Sequence, residues 1–420
     1  MNIGRYPDSK SIFYSLDGAY RAEFKIDYIW NDYLAANEVK LNDIEYSGHI
    51  ILKNHQAVIG DKVFCEGNLK SPRSFGNFDY KQFLADKNIY KTIECKEIRI
   101  QRDTRFNIFR LGSEVKNNLV NKIDNILDKE SASYFEGIVL GDKDNFTKYQ
   151  NSNLVKTGTS HIAALSGFNI TIITIFVTSI FSFIPYKLIR LVIVNTLTLM
   201  FLIIVGFSDS VIRAYLQFLI LSVGIVAGRG VNITRVIALM FIVVLVISPR
   251  ILFSISFQLS FLATCGLIFF YRQFLDISEL KKLEYFSIAK QTLTANLLVL
   301  PIMINSFGVI SSVSLIVNML VLPSVEIVSI FGIITCILLF INILDPISKI
   351  SVILIGFISL YINNVINFFG NFSFAGIHVE GKMTALGIIL YYACLISIIC
   401  FGWIRRNFEI FMKLESVSYI

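Results

Sequence analysis

A chain of 420 residues that is 54% hydrophobic and only 16% charged, with a mean hydropathy of +0.63, is too apolar to be an ordinary soluble protein. Its net charge of +7 is modest for a protein with basic cytoplasmic loops, and does not by itself point to nucleic acid. Residues 1–155 carry most of the charge, and from Ile162 to Ile404 one apolar stretch follows another. The pattern predicts a polytopic α-helical membrane protein of about nine spans, preceded by a small N-terminal β-barrel.

The opening MNIGRYPDSK has no apolar core of the kind a secretory signal needs. The N-terminal domain is therefore expected to stay in the cytosol or to be carried across by the first membrane helix. Tyr20–Trp30 alternates apolar and polar residues as a half-buried strand does, and Ile44–Lys53 and Ala57–Leu69 repeat the pattern. Ser71–Asn77 reads as a loop, Phe78–Lys87 as a short helix and Ile89–Ile100 as a further strand. Short strands with one inserted helix predict an OB-like barrel over residues 1–105. Such barrels hold single strands by a cationic groove and aromatic platforms. Lys70, Arg73, Phe75 and Phe78 fit that role, with Tyr80 beside them. The competing reading is a solvated loop in which Phe78 and Tyr80 anchor the helix.

Cys65 and Cys95 fall in predicted strands. They would pair in an extracytoplasmic domain, or stay as two buried thiols. The other four cysteines, Cys265, Cys336, Cys394 and Cys400, lie in apolar helices as packing residues. With no C-x-x-C spacing, no metal site is expected.

Residues 106–155 are predicted as amphipathic helices lying on the bilayer surface, with packing against the barrel as the alternative. In Asn107–Leu127, Phe109, Val115, Leu119 and Ile123 share one side, and Arg110, Lys116 and Lys122 the other. A second short helix, Ala132–Leu140, ends at Gly141.

Soluble and apolar regions meet at Leu154–Ile172, LVKTGTSHIAALSGFNITI. Ser160, His161, Ser166 and Asn169 are polar groups at the edge of hydrocarbon, beside Gly158 and Gly167. Such groups cost free energy unless they face a partner or a wet cavity, so they suggest a lined pathway. The competing reading makes the histidine structural.

The expected spans are Ile162–Ile184, Leu188–Phe207, Val211–Ala227, Ile233–Ser248, Ile251–Phe270, Ala289–Ile304, Val313–Leu339, Ile347–Phe369 and Met383–Ile404. The seventh contains Pro323 and is expected to be re-entrant or discontinuous. With the N-terminal domain outside, the inside loops and tail hold twelve basic residues, Lys187 through Lys413, against Arg250 and Lys382 outside. This bias places the barrel outside the cytoplasm, residues 156–406 in the membrane and 407–420 in a cytoplasmic tail. Arg213, Gln258, Asn318 and Glu326 are the polar residues within spans expected to face a pathway, with Asn296 and Gln217 near them. Each could instead form a buried structural pair or reach an interface.

These segments resemble the ComEC family of competence proteins. TGTSHIAALSGFNI (Thr157–Ile170) looks like the family's Gly-x-Ser-His signature, and SDSVIRAYLQFL like its Arg-Ala helix. SPRILFSISFQLSFLATCGL (Ser248–Leu267) and PIMINSFGVISSVSLIVNMLVLP (Pro301–Pro323) are similar to two further family segments. FDYKQFLADKNIYKT and EGIVLGDKD (Glu136–Asp144) resemble the barrel helix and the turn before the membrane. Asn169 departs from the pattern, standing where many members have a second histidine. Against the family pattern, the chain is also expected to lack the membrane segments that usually precede the barrel and a metallo-β-lactamase-like domain after Ile420.

The resemblance, not composition or spacing, implies DNA as the substrate. It implies an inner-membrane channel importing single-stranded DNA into the cytoplasm during natural transformation, with His161, Ser166, Asn169, Arg213 and Gln258 along the path. The chain is not expected to be an enzyme or to hold a cofactor. No G-x-x-x-x-G-K-[ST] loop is present, so force would come from a separate ATP-driven motor. A DNA receptor and a nuclease are expected as other chains, the lipid bilayer as surroundings and a homo-oligomer as an assembly. Three alternatives remain: a permease for another polyanion or small solute, a membrane hydrolase using Ser160 or Ser166 with His161, and a decayed or split gene product. The hydrolase lacks a nucleophile elbow and an acid to orient the histidine.

Overall fold

The computed structural model describes residues 18–26, 28–30, 33–42, 44–53, 57, 60–72, 84, 89–102, 107–143, 145–163, 165, 167–228, 232–247, 255–269, 285–341, 345–379, 381 and 383–397. The N-terminal part is a six-stranded sheet of β1 (Gly18–Lys25), β2 (Tyr28–Trp30), β3 (Tyr33–Leu41), β4 (Ile44–Lys53), β5 (Lys62–Lys70) and β6 (Ile89–Gln101), in the order β1-β5-β6-β4-β3-β2. β1 also pairs with β3, Ala22 opposite Leu41 and Phe24 opposite Val39, so five strands form a ring of pairings. Only β4 and β6 run parallel; the other pairs are antiparallel.

The alternation read from the sequence is the packing pattern. Along β5, Val63, Cys65 and Leu69 point inward, and Lys62, Phe64, Glu66 and Lys70 outward. Phe24, Ile26, Val39, Leu41, Ile50 and Ile93 complete a core with them. At Gly67, beside a bulge between β5 and β6, any Cβ would collide with the carbonyl oxygen of Glu94. Cys65 and Cys95 are joined by a disulfide with 5.6 Å between their Cα atoms. Of the expected Phe78–Lys87 helix only Leu84 is described, helical and buried.

Three short helices follow. α1 (Ile108–Asp124) is capped by Asn107, whose side chain accepts from Phe109 N at 2.9 Å. α2 (Lys129–Val139) is capped by Asp128 in the same way, and α3 (Lys148–Lys156) by a Thr147–Gln150 capping box. The α1 apolar face is as expected, since Leu119 and Ile123 are buried. α2 differs from a surface helix: every residue from Ser131 to Val139 is buried. The glycine at position 332 leaves room for Phe135 and Val139, which a side chain there would meet.

The remaining helices are α4 (Gly167–Ile180), α5 (Lys187–Val205), α6 (Asp209–Val226), α7 (Ile233–Ile247), α8 (Ile255–Phe269), α9 (Tyr285–Phe307), α10 (Ser314–Ile341), α11 (Asp345–Gly370) and α12 (Ala385–Ser397). β7 (Val309–Ser311) and β8 (Gly376–His378) pair across the ends of α10 and α11. Among the described residues, three helices are long and apolar enough to cross a membrane: Lys187–Val205, Ser314–Ile341 and Pro346–Gly370. Five of the other helices expected as spans are shorter, and α9 has the length but is less apolar than the three. This is consistent with a multi-pass membrane protein. The expected break at Pro323 is absent, because α10 is one helix of 28 residues through it.

Buried polar side chains tie α2 and α3 to α11. Gln150 donates to Asn363 Oδ1 at 3.1 Å and to Ser133 Oγ at 3.2 Å. Asn363 donates to Glu130 at 2.9 Å, and Asn153 to Asn367 at 2.9 Å. Tyr149 donates to Asn371 at 2.7 Å. Asn363 and Asn367 stand four residues apart on one side of α11 and Asn371 follows just past its end, so successive turns meet successive partners.

Candidate functional site

Arg213 lies one turn into α6 and is only 7% exposed. Its guanidinium donates to the Phe257 carbonyl at 3.3 Å and sits 5.7 Å from the centre of the Phe257 ring. Phe257 and Phe261 are four residues apart on α8, hence on one face. Their rings are nearly parallel, 7° between planes and 5.7 Å between centres. Phe241 of α7 joins them, 5.0 Å from Phe261. These rings, with Gln258, Asn305 and Tyr392, line a cavity of about 730 Å³ among α7, α8, α9 and α12.

Pro301 helps to shape the far wall. It has no N–H, so the carbonyl of Leu297 one turn earlier loses its helical donor. Tyr391 of α12 supplies the replacement, its hydroxyl donating to Leu297 O at 2.6 Å. Tyr392 donates to Leu298 O at 2.9 Å, which fixes its ring in the cavity wall. Asn305 accepts from Met383 N at 2.7 Å and ties the start of the α12 segment to α9.

Of the residues expected on a pathway, the structure places Arg213 against Phe257, next to Gln258, and His161, Asn169, Asn318 and Glu326 elsewhere. His161 lies in the turn between α3 and α4, reaching solvent although protein crowds it. That crowding lowers its pKa, offset in part by a hydrogen bond to the Gly158 backbone. Gly158, at φ +70°, packs against Ser311 and Ser314, so the GTSH turn meets the start of α10. Asn169 is buried and donates to Ile138 O at 3.1 Å, pinning α4 to α2. Asn318 is buried in α10 and its Oδ1 has no partner among the described residues. Glu326 sits on the outward face of α10. None of these four lines the cavity.

Ser166, Arg73, Phe75 and Phe78 lie outside the described residues. Lys70, expected to touch a strand, pairs with Glu94 across β5 and β6 at 2.6 Å, both side chains well exposed.

Two features escape the sequence reading. The asparagine ladder of α11 is one. The other is Glu136, fully buried at the end of α2 inside the EGIVLGDKD segment. Its Oε2 accepts from Asn145 at 2.8 Å, and its Oε1 has no partner among the described residues. Burial pushes its pKa up to about 8; Asn145 opposes the shift, Asp124 and Asp142 add to it, and Lys116 lowers it. Lys116 itself pairs with Asp142 at 3.2 Å. The only signal for Glu136 was an acid among apolar residues at a helix end, which equally describes a surface helix.

A sequence model described as Competence protein matches residues 138–406. ComE operon protein 3 of Bacillus subtilis (strain 168) is 27% identical over 277 residues, covering 62% of this chain and 34% of that protein. The chain thus spans about a third of the length of that relative. No solved structure matches. The family match runs from the end of α2 past α12, over more than half of the chain, and takes in Arg213, the phenylalanine stack and the α9 helix that contains Pro301. The chain therefore belongs to the ComEC family of competence proteins.

Proposed function

We infer that the chain serves DNA uptake in transformation, as an inner-membrane channel that passes a single strand into the cytoplasm. The observation that carries this is a guanidinium held inside an apolar helix bundle, at the edge of a cavity walled by phenyl rings. A guanidinium and phenyl faces in a helix bundle match what a nucleic-acid strand offers at short intervals, phosphates and bases. Family membership supports DNA as the anion.

The ring of strand pairings supports an OB-like barrel as the part that meets the strand first. The Cys65–Cys95 disulfide supports placing that part outside the cytoplasm, where disulfides persist. In this reading the helices from α4 onward conduct, and a motor, a receptor and a nuclease are other proteins.

Complementation tests it. The chain is expressed in a competent host lacking its own import channel, and labelled DNA protected from added nuclease is counted. Protected DNA above the empty-vector level is expected. Arg213→Ala should lower it roughly tenfold at equal protein level, as loss of a charged contact of about 1.5–3 kcal/mol would, and Arg213→Lys should retain part. No protected DNA, with the protein shown in the membrane, would reject the channel. Full uptake by Arg213→Ala would take Arg213 out of the path.

A further inference from the structure

The phenylalanine stack offers a recognition mode beyond a charged path. Phe257 is 3% exposed and forms the sealed end, held between Arg213 on α6 and Phe261 one turn along α8. Phe261, Phe241 and Tyr392 are only partly buried and face the cavity. The cavity, about 730 Å³, falls in the range of organic-ligand sites. Its lining is mostly apolar, but Gln258, Asn305 and Ser306 also border it. An acyl chain would leave the amides unused. A nucleobase uses both kinds of group in the lining: its flat face on a ring and its edge on an amide.

We propose that this cavity is a nucleobase slot, in which bases of the passing strand stack on Phe261 with their edges toward the amides of Gln258 and Asn305. The inference rests on the DNA reading above and adds base contact to it. Stacking tolerates any sequence, because every base has a π-face. A slot of this kind would grip the strand without selecting its sequence, and it would require bases, not phosphates alone.

The test uses the full chain reconstituted in nanodiscs and two fluorescent probes: an oligothymidylate, and an abasic strand of the same length and charge. The wild type should bind the oligothymidylate roughly tenfold or more tighter than the abasic strand. Phe261→Leu keeps an apolar side chain but removes the flat ring, and should lose most of that preference. Phe261→Tyr should keep it. Any base preference of the sheet domain is common to all three proteins, so the wild type-to-Leu difference reports the slot alone. An unchanged preference in Phe261→Leu, or equal binding of both probes by the wild type, overturns the slot and leaves the DNA reading standing. Binding of neither probe overturns both.

Discussion

A carboxyl group with no exposed surface, as at Glu136, is less costly to keep protonated than ionised. Its pKa, moved from 4.5 to about 8, makes folding depend on pH in one direction. Below about 4.5 folded and unfolded chains both carry the proton, and the group's favourable term is fully present. Between there and about 8 the unfolded chain has released the proton and the folded chain has not, so stability falls as pH rises. The loss is on the order of a few kcal/mol. Unfolding of the detergent-solubilised protein should therefore become easier from about pH 5 to about pH 9. Glu136→Gln should flatten that slope and be the more stable protein at the alkaline end. Equal slopes in both would assign the effect to other groups.

Arg213 and Gln258 were legible as polar residues in apolar runs, because hydrocarbon makes any such group conspicuous. Phe257 and Phe261 were not, since among 36 phenylalanines a pair four apart carries no mark until a neighbouring helix stacks on it.

At the level of elements, apolar side chains pack most helices and amide groups join a few. The α11 ladder contacts α3 across 213 residues of sequence at its central bond, Gln150 to Asn363. Asn363→Leu would strand Gln150, Asn367 and Glu130, each bonded to it now. A loss of about 1–3 kcal/mol is expected, read as a lowered unfolding midpoint. An unchanged midpoint would make the ladder incidental. The same contacts explain why α2 was misread as a surface helix. KESASYFEGIV mixes polar and apolar residues as an interfacial helix does, but Ser133 is buried where Gln150 of α3 meets it and Glu136 where Asn145 does, and the exposed Glu130 accepts from Asn363 of α11. Pro323 was misread for a related reason. A proline removes one hydrogen bond, but α10 continues through it, and Tyr361 of α11 donates to the nearby Leu320 carbonyl at 3.4 Å.

On the scale of the whole molecule, a sheet rich in backbone pairings and a helical part rich in apolar contacts are held by different means. Arg110 of α1 pairs with the buried Asp61 just ahead of β5, which links the two. Among the described residues the sheet alone carries a disulfide, between positions 30 residues apart. Reduction, or Cys65→Ser with Cys95→Ser, should destabilise the sheet by about 3–4 kcal/mol through the freed unfolded chain. Denaturant unfolding followed by a sheet signal would measure it, and a shift confined to the helical signal would contradict it. The segments of β1, β4, β5 and β6 were legible from alternation, the strand order was not, and neither was the β1–β3 pairing. It joins strands whose separate patterns look alike, and closure depends on register and not on composition.

The disulfide also has a topological effect. Residues 66–94 form a covalent loop closed at its base by the bond between Cys65 and Cys95. Arg73, Phe75 and Phe78 all belong to that loop. A protease that cuts once anywhere within it produces two peptides but a single molecule, with both halves still attached to their strands, until a reductant parts them. In an oxidising compartment, a nick there would leave the domain in one piece.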